Sequence, residues 1–156
     1  MKTDIGLREK AREAVAMFLS ALLADEVVLY TKTRNYHWNV RGPHFNDLHK
    51  LFDAQYAELN GIVDEVAERI RSLGFPSPGT LAEFQKLARL KEKAGDRPDA
   101  AGMLKNLLAD HETVVRQLRG DIEAAGKQGD SGTEDFLTGL LEQHEKTAWM
   151  LRASLE

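Results

Sequence analysis

The sequence predicts an all-α chain. Four long segments repeat apolar residues at three- and four-residue steps, the spacing that one buried helix face requires. All four prolines fall in the connections or at a first helical turn. The first segment is also so long that, in a chain of 156 residues, it must run the length of a bundle.

Taken in order, residues 4 to 38 read as the first helix, with Asp4 as its cap and Leu7, Ala11, Val15, Phe18, Leu22, Leu29 and Tyr36 on the buried stripe. Asn39 to His44 form a turn, with His44 as a structural residue near the next helix. A second helix spans 45 to 73, through Leu48, Phe52, Leu59, Val66 and Ile70. Gly61 weakens its middle by roughly 1 kcal/mol against alanine without breaking it. The segment FPSPGT is a punctuated connection. Thr80 and Glu83 then make a capping box for a short helix over 81 to 91. The polar stretch KEKAGDRPDA leads to a third long helix over 99 to 125. Gly126 to Gly129 stop it, and Ser131 with Glu134 forms a second capping box for a last helix to about 155. His144 and Trp149 are expected as bundle residues.

The chemistry concentrates on the second helix and the residues just before it. His49 and Asp53 are one turn apart, as are Asp64 and Glu68, and all four lie within a sector of about 100°. Asp53 and Asp64 are nevertheless separated by about 16 Å of helix at 1.5 Å per residue. Metal–ligand bonds are only about 2 Å and paired metals sit about 4 Å apart. One straight helix therefore cannot bring both pairs to one centre, but two copies crossing antiparallel can. The numbers of His49 and Glu68 add to the same total as those of Asp53 and Asp64. A two-fold axis at the helix midpoint would set His49 and Asp53 of one chain against Asp64 and Glu68 of the other, twice.

Any single charged pair of this kind is more often a solvated helix face. Asp64 and Glu68 are, however, like charges one turn apart, which costs about 0.2–0.5 kcal/mol without compensation. Arg69, Arg71 or a metal could supply it.

His37-Trp38 followed by His49, Asp53, Asp64 and Glu68 resembles the ferroxidase motif of the Dps proteins, the DNA-protection-during-starvation branch of the ferritin-like superfamily. The surrounding words WNVRGPHF, LHKLFD, VDEVAERIR and LGFPSPGTL match as well, and the resemblance runs from about Leu22 to the C-terminus. It implies a ferritin-like four-helix bundle, with the short helix placed in the crossover between the second and third bundle helices. It also implies a dodecameric shell and Fe(II) oxidation at sites between two-fold-related chains. Asp64 and Glu68, with His37 of the facing chain, would hold one iron tightly, and His49 with Asp53 would form a weaker second position. Trp38 would sit beside the site and quench oxidising equivalents. Hydrogen peroxide would be the oxidant, with two irons each giving one electron, and Fe(III) would mineralise inside the shell. Imidazole and carboxylate ligands suit Fe(II) and also zinc, so zinc is a competitor. Imidazole must be neutral to bind, so binding weakens in acid.

Ferritins with a di-iron site inside each bundle use Glu-x-x-His on two helices. Three residues before the five histidines stand Arg34, Arg41, Asn46, Leu108 and Leu141, so that site is not encoded. His111-Glu112 opens a zinc-protease pattern, but Val115 replaces its second histidine.

Composition bounds the rest. The length fits a single domain over 1–156, and the absence of cysteine excludes disulfides and thiolate sites. The apolar run at 14–24 is too short to span a bilayer and no signal pattern precedes it, so a cytoplasmic protein without a membrane partner is expected. The net charge is −4, and residues 1–13 mix four bases with three acids. DNA coating, the rival function, is therefore not expected. Five acids between Asp121 and Asp135 face one base, Lys127; they are either caps and a solvated turn or part of the acidic pore that the resemblance implies, with Asp130 and Asp135 as its candidates.

Overall fold

A computed structural model describes residues 3–156; Met1 and Lys2 of the mixed-charge N-terminal stretch lie outside the described residues. The described residues form five helices and no strand: α1 (Glu9–Asn39), α2 (Phe45–Ser72), α3 (Leu81–Leu87), α4 (Ala100–Lys127) and α5 (Ser131–Ala153). α1 packs along α2, and α4 along α5. The connections at 40–44 and 128–130 are so short that each pair must be an antiparallel hairpin. α3 lies on α1 within the long crossover, while α2 and α5 touch lightly. This is the predicted ferritin-like four-helix bundle with an extra short helix.

The predicted stripes meet in one core. Leu19, Leu22 and Leu29 of α1, Phe52, Val66 and Ile70 of α2, Leu107, Val114 and Leu118 of α4, and Leu137 and Leu151 of α5 are fully enclosed. Each such side chain contributes about 1.5–3 kcal/mol by leaving water. By length and composition alone α1 could cross a membrane, with a stretch of mean hydropathy 1.7, yet 56% of that stretch is buried in the bundle.

Four expectations are corrected. α1 begins at Glu9, not at residue 4, because Gly6 takes a φ of 77° that a helix cannot contain. Asp4 is thus not its cap, and Arg8 stands in that position without a side-chain capping bond. α3 ends at Leu87 rather than 91, because the next free backbone donors are taken elsewhere. Arg89 and Leu90 N–H both donate to Oδ1 of the buried Asp25 on α1, at 2.6 and 2.8 Å. At α5 the cap is Asp130, whose carboxylate accepts from Thr133 N–H, and Ser131 is already helical. Trp149 is 61% exposed: Ala148 faces the core, and the next residue is turned about 100° away. The capping box of Thr80 and Glu83 forms as expected.

Candidate metal centre

The α1–α2 hairpin folds His37, near the end of one helix, against His49, near the start of the next. The last carbonyl of α1 to be paired within the helix is that of Tyr36, which accepts from Val40 N–H. The His37 carbonyl is thus one of the orphans that a helix end leaves, and His49 Nδ1 donates to it at 2.9 Å. In return His37 Nδ1 donates to the His49 carbonyl at 2.8 Å. A carbonyl oxygen can only accept, so both rings carry their proton on Nδ1. In the neutral rings this leaves both Nε2 atoms as bare lone pairs, which is how backbone carbonyls prepare histidine ligands. The rings stack with centroids 3.8 Å apart, and Phe45 lies on the other side of His49 at 5.0 Å.

Asp53, one turn along α2 from His49, completes this half. Its Oδ1 is 4.0 Å from His37 Nε2 and accepts a 2.5 Å hydrogen bond from the Tyr56 hydroxyl. That bond raises the Tyr56 pKa above its ordinary 10.0, so the hydroxyl stays a donor.

Asp64 and Glu68 lie on the same helix further along, both exposed. The cations beside them are engaged elsewhere. Arg69 donates to Asp130 at 2.8 Å and to Thr133 at 2.9 Å, and Arg71 donates to the Phe75 carbonyl at 2.9 Å. Neither arginine forms an ion pair with Asp64 or Glu68 among the described residues. Among the described residues of one chain, no three histidine, aspartate or glutamate side chains are arranged to hold an ion. Within one chain His37 stacks on His49 with Asp53 4.0 Å from His37 Nε2, short of an ion-holding trio, and Asp64 and Glu68 stand apart further along α2. Trp38 is 63% exposed, with the Arg34 guanidinium 4.9 Å above its ring.

The acidic turn is not the free cluster that its composition suggests. Asp130 is buried, capping α5 and paired with Arg69, and so is unavailable to line a pore. Asp121 faces Arg89 at 3.6 Å; burial pushes its carboxyl up, against the pull of that arginine. Asp135 remains exposed.

The bundle centre holds a polar group that spacing did not reveal. Glu26 of α1, Gln55 of α2, His111 of α4 and His144 of α5 are all buried there. His111 Nδ1 and His144 Nδ1 are 2.9 Å apart and share one proton, and His144 Nε2 is 3.0 Å from Glu26 Oε1. That last contact is poorly aligned as a hydrogen bond, so both Glu26 oxygens stay unsatisfied. A slot of about 10 Å³ between α2 and α5, room for one water, reaches the two histidines. The four residues come from four helices, so no local motif announces them.

Comparison with known proteins gives one consistent picture. The Ferritin-like domain family matches residues 17–156. An uncharacterized low temperature-induced protein of Nostoc sp. is 46% identical, covering 99% of this chain and 87% of the relative. A DNA protection during starvation protein of Brevibacillus brevis is 38% identical over the whole of both chains. Among solved structures, the Dps protein of Vibrio cholerae O1 is 34% identical at a TM-score of 0.94, covering 100% of this chain and 98% of that one. It is described as a member of a broad superfamily of ferritin-like diiron-carboxylate proteins.

Proposed function

This chain belongs to the Dps family of ferritin-like proteins, and we propose that it oxidises Fe(II) with hydrogen peroxide at sites shared between two-fold-related chains, storing the Fe(III) in a dodecameric shell. Membership supports iron storage and protection against oxidative stress as the general role. The finer reading rests chiefly on one observation. His37 at the end of α1 and His49 at the start of α2 are each held through Nδ1 beside Asp53, and the other half of α2 presents Asp64 and Glu68 exposed, with no ion-pair partner among the described residues.

Each site draws His37, His49 and Asp53 from one chain and Asp64 and Glu68 from its partner. Three carboxylates and two neutral imidazoles suit Fe(II), with zinc as a competitor. Two Fe(II) ions give one electron each to hydrogen peroxide; with two protons taken up, the O–O bond breaks to two waters and both irons become Fe(III). Pairing the electrons at one site avoids releasing a hydroxyl radical. Trp38 stands by for stray one-electron oxidation. Asp135, which remains exposed, draws Fe(II) toward an entry pore.

The test is the rate of Fe(II) oxidation with each oxidant. Peroxide is expected to drive it faster than oxygen alone, and the His49→Ala, Asp53→Ala double variant is expected to lose most of the peroxide rate. Equal or faster oxidation with oxygen contradicts the oxidant, and an unimpaired double variant contradicts the site.

A further inference from the structure

Tyr56 stands three residues after Asp53 on α2, so the two side chains share one helix face. The Asp53 side chain is 57% exposed, and Tyr56 is the one hydrogen-bond partner that it has among the described residues. A carboxylate so exposed would otherwise sample several rotamers. The tyrosine is itself held: its ring meets Tyr30 edge-on at 6.1 Å and His37 edge-on at 5.2 Å. Tyr30 is in turn pinned by Arg34, which donates to its hydroxyl at 2.7 Å. The hydroxyl therefore reaches Asp53 from a fixed ring and takes Oδ1, leaving Oδ2 with both lone pairs free.

We propose that Tyr56 is a positioning residue, which fixes the Asp53 carboxylate so that the half-site of His37, His49 and Asp53 is set before the metal arrives. This rests on the shared-site reading above. An orienting partner of this kind is commonly worth 10- to 100-fold in metal affinity. Because Asp53 belongs to one half only, the effect falls on the metal position that it serves and spares the position held by Asp64 and Glu68.

The experiment is an anaerobic Co(II) titration of the assembled protein, followed by absorption, in wild type and in Tyr56→Phe, which removes only the hydroxyl. Wild type is expected to bind in two steps. Tyr56→Phe should keep the tight step and weaken the loose one by about tenfold, while native mass and helical content stay unchanged. In peroxide-driven Fe(II) oxidation its KM for Fe(II) should rise more than its kcat falls. In an Asp53→Ala background, adding Tyr56→Phe should change nothing further. Unchanged Co(II) binding in Tyr56→Phe overturns the proposal, and so does a further loss in the Asp53→Ala background. Wild type that binds Co(II) in a single step, or at a site that Asp64→Ala leaves intact, overturns the shared-site reading, and the role of Tyr56 falls with it.

Discussion

A histidine offers a metal only the nitrogen that its neighbours leave bare. At His37 and His49 that choice is made by two backbone carbonyls, one of them an orphan at the end of α1. The residue types and their spacing were legible in the sequence, because metal chemistry needs a fixed donor set. The tautomers were not, because they depend on how closely the hairpin closes. Asp130 shows the opposite outcome. Its place among acids suggested a pore, but it is consumed by Thr133 and Arg69. Asp130→Ala is therefore expected to destabilise the fold by about 1–2 kcal/mol through the lost cap alone, with Fe(II) uptake little changed. Denaturant unfolding and an uptake assay check both halves. The sequence pointed to Ser131 as the cap; Asp130 takes the position instead, its carboxylate also pairing with an arginine on a distant helix, which no local pattern reports.

At the scale of elements, α2 is the organising piece. Its first and last residues, Phe45 and Ser72, share the total that His49 with Glu68 and Asp53 with Asp64 already share. The proposed two-fold register would thus centre on the midpoint of the helix, and a crossing partner would leave no overhang. The apolar stripes made all four long helices readable, whereas the ends of α1 and α3 turned on Gly6 and Asp25, one local and one distant. The bundle centre was the least readable part. His111 is enclosed there, facing His144 of α5, with Glu26 of α1 and Gln55 of α2 alongside. Burial first, and then His144, hold the His111 pKa well below the ordinary 6.5. The unfolded chain therefore takes up this proton before the folded one does. The stability that comes from keeping His111 neutral is fully present above about pH 6.5 and is lost as pH falls below it. Between pH 7.5 and 5.5 the loss should reach about 1 kcal/mol. Denaturant midpoints should show a smaller loss for His111→Gln. Equal losses in the two proteins would contradict the assignment.

For the whole molecule, a net charge of −4 per chain opposes contact with phosphate backbones. Duplex DNA is therefore not expected to be retarded at micromolar protein in about 150 mM salt with a chelator present; retardation under those conditions would restore the DNA-coating reading. The central claim is that neither chain owns a complete site, and mixing two broken chains tests it directly. One variant carries His49→Ala with Asp53→Ala, the other Asp64→Ala with Glu68→Ala, and each alone should be nearly inactive. In a random one-to-one assembly about half of the two-fold interfaces are mixed, each with one intact site of two, so roughly a quarter of wild-type Fe(II) oxidation should return. If native mass shows mixed assemblies and no activity returns, each chain keeps its ligands to itself and the shared site is wrong.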